Sequence, residues 1–111
     1  MSSHKLDNYL RTYRKRSGFS QEALSYLLGT GDGMKVSRYE RNERVPGFET
    51  LLALQVAFGA PLEELFAGHF GRARTTVRRR AAVLRRRLEA QAQTPAVLRQ
   101  VEALSRISNP Q

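Results

Sequence analysis

The sequence contains no cysteine, which excludes disulfide bonds and thiolate metal sites. Its two histidines, His4 and His69, lie far apart and lack the spacing of metal ligands, so we expect no metal site. No apolar run approaches the roughly 20 residues that a bilayer span requires, and the N-terminus lacks the apolar stretch of a signal peptide. We therefore expect a soluble, cytoplasmic protein. The arginine-rich residues 72–92 contain no aromatic anchor, so we also expect no membrane partner.

The period-two alternation of a half-buried strand is also missing, whereas apolar residues recur at helical spacing. We therefore predict an all-α fold. With 111 residues, of which 41% are hydrophobic, the chain suits one compact domain and an appendage. We place the boundary between residues 1–70 and residues 71–111, because the composition becomes arginine-rich there.

Acidic residues are scarce in the last part of the chain, and the net charge of +9 is therefore unevenly distributed. Residues 1–70 contain nine Lys and Arg against eight Asp and Glu, whereas residues 71–111 contain ten Arg against two Glu. A strong positive field attracts nucleic acids or anionic membranes. The charge alone does not distinguish these two partners.

Apolar spacing in the first part of the chain predicts five short helices. The first helix, whose apolar stripe runs from Leu6 to Tyr13, stops at Gly18. The second helix follows the N-cap residue Ser20 and ends at Gly29. Its predicted buried face consists of Ala23, Leu24, Leu27 and Leu28.

The third helix is predicted at about residues 33–41, with Asp32 as its N-cap. A fourth, strongly apolar helix extends from Phe48 to Phe58 and ends at Gly59. Pro61 is predicted as the first residue of a short fifth helix. The inward-facing residues of the third helix are predicted to be Val36 and Tyr39.

Three separated segments carry a family resemblance: residues 10–24 (LRTYRKRSGFSQEAL), residues 36–46 (VSRYERNERVP) and residues 51–65. Together they resemble the Xre/Cro-type, phage-repressor-like helix-turn-helix family over roughly residues 5–67. The resemblance implies a five-helix, repressor-like DNA-binding domain whose third helix enters the major groove. The rest of the chain is then a C-terminal helical hairpin or arm.

The resemblance also implies roles for individual residues. On the third helix it implies an exposed surface that begins at Gly33 and ends at Arg38. Gln21 matches a phosphate-contacting glutamine, a role that the free N–H groups of a helix N-terminus support, and the alternative is a polar capping residue. Arg38 is expected to grip guanine, with a phosphate contact as the alternative, and Lys35 fits either role. Met34 either packs on a thymine methyl group or fills a gap in the core. The expected DNA-contacting residues are Gln21, Gly33, Met34, Lys35, Ser37 and Arg38, followed by the backbone-contacting Arg41, Asn42 and Arg44.

Arg14 and Glu40 occupy positions at which the resemblance implies an ion pair between the first and third helices. We therefore expect neither residue to contact DNA. If the pair is partly buried, removal of one partner strands the other charge at a cost of about 3–5 kcal/mol.

The turn before the third helix departs from the family pattern. Gly29 to Ser37 is one step longer than usual, and the turn contains three glycines. These glycines either let the backbone approach DNA closely or cradle a phosphate through backbone N–H groups. The extra residue leaves the start of the third helix open.

Residues 72–92 carry an apolar stripe with spacings of four, three and four, flanked by eight arginines. Thr94 and Pro95 predict the N-cap and first residue of a last helix that folds back as a hairpin. Three interpretations stay open: the hairpin covers the five-helix core, pairs two DNA-binding domains, or grips DNA electrostatically. The stripe consists of Val77, Ala81, Leu84 and Leu88.

These observations predict a sequence-specific transcriptional regulator, a repressor that binds double-stranded DNA at a palindromic operator as a homodimer and is associated with the nucleoid. One alternative is an antitoxin that also binds a toxin, through the tail at residues 94–111. Another is a protein–protein adaptor that uses the basic helix for acidic partners. We expect no catalytic residues, cofactor or enzymatic activity, because the sequence lacks a nucleophile–base set, paired carboxylates and a cofactor motif.

Overall fold

The computed structural model describes residues 6–108, which are all-helical and contain no strand, so the predicted all-α class is confirmed. None of the helices in this span is both long and apolar enough to cross a membrane. The chain divides after Phe70 into two compact units, and this boundary falls within the sixth helix. The described helices are α1 (Leu10–Ser17), α2 (Gln21–Leu28), α3 (Gly33–Glu40), α4 (Phe48–Phe58), α5 (Leu62–Leu65), α6 (Ala67–Glu89) and α7 (Pro95–Ser108).

The predicted N-caps of α2 and α3 are confirmed. The Ser20 hydroxyl accepts a hydrogen bond from the backbone N–H of Ala23 at 2.9 Å, and the Asp32 carboxylate accepts one from Met34 N–H at 2.9 Å. Each cap satisfies a donor that has no partner within the helix, and such a cap contributes about 1 kcal/mol. The two helices that frame the candidate site therefore begin where local sequence chemistry places them.

Helix α1 begins at Leu10, so the predicted helical start at Leu6 is wrong. Tyr9 is the N-cap of α1, and the buried Asn8 just before it accepts the Leu10 N–H through Oδ1 at 3.0 Å. Its Nδ2 donates to the Tyr39 carbonyl at 3.0 Å and to Asn42 Oδ1 at 2.8 Å. A single buried amide therefore attaches the segment before α1 to the end of α3.

The core of the first unit receives one fully buried apolar side chain from each of its five complete helices. Burial of each such side chain contributes about 1.5–3 kcal/mol relative to exposure. Val36 and Tyr39 face inward as predicted, whereas Leu27 of α2 is 51% exposed, so its predicted burial is wrong. The five side chains, none more than 1% exposed, are Leu10, Leu24, Val36, Leu54 and Leu65.

The start of α6 packs tightly against the segment that precedes α1. The Gly68 N–H donates to the Leu6 carbonyl at 3.0 Å, and a Cβ on Gly68 would lie 2.7 Å from both that oxygen and Asp7 Cα. Only glycine fits there, because both neighbouring atoms belong to the backbone. Helix α6 therefore begins at Ala67, before the arginine-rich stretch of residues 72–92. Pro61 is the N-cap of α5 and not, as predicted, its first residue.

The second unit contains little buried surface. The Thr94 hydroxyl accepts the Val97 N–H at 3.2 Å, which confirms the predicted start of α7. Arg85 of α6 donates to the Ser105 hydroxyl of α7 at 3.2 Å and joins the two helices. Only two apolar residues of this unit are buried among those described, Ala81 and Leu88.

The contact at Gly68 gives a stability prediction. Gly68→Ala should destabilise the protein by about 1–3 kcal/mol, because the added methyl group forces the backbone apart. Gly71→Ala is the matched control: its Cβ would meet no atom within 4 Å, so the higher helix propensity of alanine should make it neutral or stabilising by up to about 1 kcal/mol. Urea unfolding monitored by circular dichroism measures the stability of both variants. Equal stabilities of the two variants would contradict the close backbone contact at Gly68.

Candidate nucleic-acid interface

The turn between α2 and α3 accommodates the extra residue without disordering the start of α3. Ser25, which is buried on α2, donates its hydroxyl to the Asp32 carbonyl at 2.6 Å and lies 2.7 Å from the Thr30 hydroxyl. The predicted start of α3 at about residue 33 is confirmed, because the turn is anchored at the residue that caps the helix. The sequence prediction overlooked Ser25, since a serine between apolar residues carries no periodic signal.

Gly33 is buried, so the prediction that it is exposed is wrong. A Cβ at this position would lie 3.2 Å from Gln21 Cβ and 3.0 Å from Glu22 Oε2. The missing side chain lets the first turn of α3 pack directly against the first turn of α2. Gly33 therefore sets the distance between these two helices, and any contact with DNA would have to come from its neighbours.

The outward face of α3 is polar and continuous. Met34, Arg38 and Arg41 are exposed and follow one another at spacings of four and three residues, which places them on one stripe. Lys35 and Ser37 flank this stripe and are partly buried. The opposite side of α3 packs into the core, so the helix presents one face of a width that a major groove admits.

A cleft of about 290 Å³ lies between α1, α2 and the outward side of α3. Its exposed rim includes Arg11 and Arg41, while the buried pair Arg14 and Glu40 lies at its base. The first turn of α2 contributes Gln21, beside backbone N–H groups that have no acceptor within the helix. Two guanidinium groups and a helix N-terminus around one cleft form a suitable site for an anion such as a phosphate.

Arg11 was missing from the predicted site. It lies one helical turn before Arg14, so the two side chains share a face of α1. The predicted Arg14–Glu40 contact could therefore have identified Arg11, because the side of α1 that faces α3 also carries Arg11. Arg11 is exposed, in contrast to its buried neighbour.

The predicted ion pair between α1 and α3 is confirmed. Arg14 donates through Nε to Glu40 Oε2 and through Nη2 to Glu40 Oε1, the second contact at 3.2 Å, and the two side chains are only 10% and 4% exposed. Arg14 Nη1 also donates to the Phe19 carbonyl at 3.0 Å. Gln21 Nε2 donates to Glu40 Oε1 at 3.2 Å, so the same carboxylate holds the first residue of α2.

The three predicted contact residues after α3 lie in different environments. Arg44 is exposed, and Arg41 forms an exposed ion pair with Glu43 at 3.1 Å. An exposed pair contributes at most about 1 kcal/mol, so Arg41 can exchange this partner for a phosphate at small cost. Asn42 instead lies in the left-handed region at φ 60°, and its Oδ1 contacts Asn8 Nδ2 and His69 Nε2. The position of Asn42 just after α3 could have predicted this structural role, because Gly or Asn often ends a helix.

Comparison with protein families identifies this arrangement. The model of the family described as "Helix-turn-helix domain" matches residues 8–67, more than half of the chain. The chain belongs to the helix-turn-helix domain family. The match includes α1 to α5 and every residue of the cleft, and it indicates a DNA-binding regulator. Comparisons with curated proteins and with solved structures give no match.

The buried ion pair gives a second stability prediction. Glu40→Ala should destabilise the protein by about 3–5 kcal/mol, because it leaves the Arg14 guanidinium buried without its carboxylate. The double variant Arg14→Met/Glu40→Leu removes both charges and should recover most of that loss. Equilibrium unfolding of Arg14→Met, Glu40→Leu and their double variant measures the coupling. If the two losses simply add, the buried pair does not act as a unit.

Proposed function

We propose that this protein is a sequence-specific transcriptional regulator of the Xre/Cro type, and specifically a repressor that acts by occupying its operator. The observation that carries this proposal is the exposed stripe of Met34, Arg38 and Arg41 beside the cleft. Together they offer a base-reading surface and an anion site on adjacent faces of one domain. Helix-turn-helix proteins use this division, with one helix in the major groove and the preceding helix against the backbone.

Base reading is assigned to Met34 and Arg38 of the α3 stripe. Arg38 is exposed in the middle of the stripe and forms no ion pair within the described residues, so its guanidinium is available to guanine O6 and N7. Met34, which is 61% exposed, fits a thymine methyl group better than a core gap. Lys35 and Ser37 flank the stripe and supply further polar contacts.

Backbone positioning is assigned to the cleft and the segment after α3. A phosphate in the cleft would meet Arg11, Arg41 and the first turn of α2, where Gln21 is held in place by Glu40. Arg44 extends the basic surface beyond α3. These contacts would fix the register of α3 on the duplex without selecting a sequence.

We also propose that two copies act together on a palindromic operator. The second unit supports this, because it buries only two apolar residues and leaves Val77, Leu98 and Ile107 at least 40% exposed. Helical units of about 40 residues usually need oligomerisation or another staple for stability. Pairing of this unit would cover exposed apolar surface and would present two recognition helices to half-sites roughly 34–36 Å apart.

Exposed apolar side chains on α7 also support the antitoxin alternative. Leu98 and Ile107 would suit a toxin surface as well as they suit a second copy. The stoichiometry of the DNA complex distinguishes the two. A complex of two identical chains supports pairing through this unit, whereas single chains that pair only with a second host protein support the antitoxin.

Selection of bound sequences from a random DNA pool, with mass measurement of the complexes, tests the proposed function. We expect a palindromic consensus and a complex of two chains with one duplex. Arg38→Ala should then lower affinity for that consensus by about 1–3 kcal/mol and relax selection at one or two base pairs. Arg16→Ala, an exposed arginine outside the cleft and the stripe, is the control. An unchanged consensus for Arg38→Ala would contradict base reading by this residue.

The cleft gives a separate prediction for Arg11. Arg11→Ala should weaken binding to all sequences alike, because the lost contact is to phosphate and not to a base. The slope of log Kd against log salt concentration should fall by about 0.9, the value for one lost phosphate contact on duplex DNA. Titration at several salt concentrations measures it, with Arg16→Ala again as the control. A change in sequence preference would show instead that Arg11 reaches the bases.

A further inference from the structure

A basic groove lies on the exposed surface of α6, outside the segment that matches the helix-turn-helix family. It has a volume of about 420 Å³, and three exposed arginines surround two aliphatic side chains. No acidic residue lines it. The lining residues are Arg79, Arg80, Val83, Leu84 and Arg87.

The second unit has few acidic side chains that could neutralise the arginines of this groove. Residues 71–111 contain ten arginines and only two glutamates. Glu89 lies 4.0 Å from Arg85, and Glu102 lies 3.7 Å from Arg106, each one helical turn away. Both carboxylates therefore contact arginines outside the groove.

The groove points away from α7. Arg85 marks the side of α6 that faces α7, because its guanidinium donates to the Ser105 hydroxyl. Arg87 follows two residues later, which places it about 200° around the helix from Arg85. Pairing of the two helices therefore leaves the groove open to a ligand.

We propose that this groove binds the phosphate backbone of duplex DNA, as a second, sequence-independent DNA site of the same chain. The inference rests on the proposed function, which brings the first unit to DNA. Once that unit is bound, the tethered groove meets the duplex at a high effective concentration. Arginine suits this ligand, because its planar fork matches phosphate geometry.

Spacing and charge favour DNA over other anionic partners. Arg80 and Arg87 lie seven residues apart, or about 10.5 Å along the helix axis. This distance falls between the widths of the minor and major grooves, about 6 Å and 12 Å, so the two side chains can reach phosphates on opposite sides of a groove. A membrane surface would call for aromatic anchors, and none lines the groove. The first unit has a net charge of only +1 by residue count, so the second unit is the stronger source of non-specific attraction.

The test uses the full chain with Arg80→Gln/Arg87→Gln. The matched control is Arg99→Gln/Arg106→Gln, which removes the same charge from exposed positions of α7. Affinity is measured for a random-sequence duplex and for the selected operator at several salt concentrations. The groove variant should reduce the salt slope by about 1.8 for both duplexes and lower affinity on the order of 10- to 30-fold at about 0.15 M salt. Circular dichroism spectra should be the same for all variants.

Two outcomes overturn the inference. If the groove variant keeps the slope of the control, the arginines do not contact DNA, and an acidic protein partner becomes the alternative ligand. If the wild-type chain binds no duplex at all, the proposed function fails together with this inference. The failures are distinguishable, because Arg38→Ala should change sequence discrimination and leave the effect of the groove variant on random DNA intact.

Discussion

The buried ion pair of Arg14 with Glu40 is the contact on which the geometry of the candidate interface depends. It joins α1 to the last residue of α3, and it also receives Gln21 from the first turn of α2 and reaches the Phe19 carbonyl. Three helices are thereby attached to one carboxylate and one guanidinium. Because both groups are almost completely desolvated, each is costly without the other, and the arrangement forms as a unit or not at all. Arg14 thereby fixes α3 while its own guanidinium stays buried.

Reading and holding DNA are assigned to different parts of the chain. The first unit is almost neutral by residue count, and two of its exposed arginines, Arg11 and Arg41, line the cleft beside the stripe of α3. In the proposed function this surface discriminates among sequences but supplies little long-range attraction. The second unit has the reverse properties, with a large positive charge, few buried apolar groups and no part in the family match. Separation of the two tasks lets affinity change without a change in specificity, since phosphate contacts carry no direct sequence information.

Sequence reasoning succeeded where a single residue determines its own local structure. Ser20 and Asp32 cap helices because their side chains reach nearby N–H groups, and such caps are visible in a linear pattern. Sequence reasoning failed where contacts with residues far away in the sequence determine where a helix begins. Asn8 delays α1 through contacts that include Tyr39, 31 positions later, and Gly68 allows α6 to begin early because Leu6 and Asp7 lie against it. Gly33 was expected to be exposed because the family resemblance placed it on the outward side of the third helix, whereas here it permits close helix packing.

The longer turn shows why α3 keeps its orientation despite the extra residue. A residue inserted into a turn would rotate the following helix by about 100° if the helix simply continued from the turn. Here α3 is fixed at both ends by side chains: Ser25 holds the Asp32 carbonyl at its start, and Arg14 holds Glu40 at its end. The turn only has to span the gap, and Gly31, at φ 96°, lets it do so. The direction of the Met34–Arg41 stripe is therefore determined by helix contacts, so the length of the turn can vary without moving this stripe.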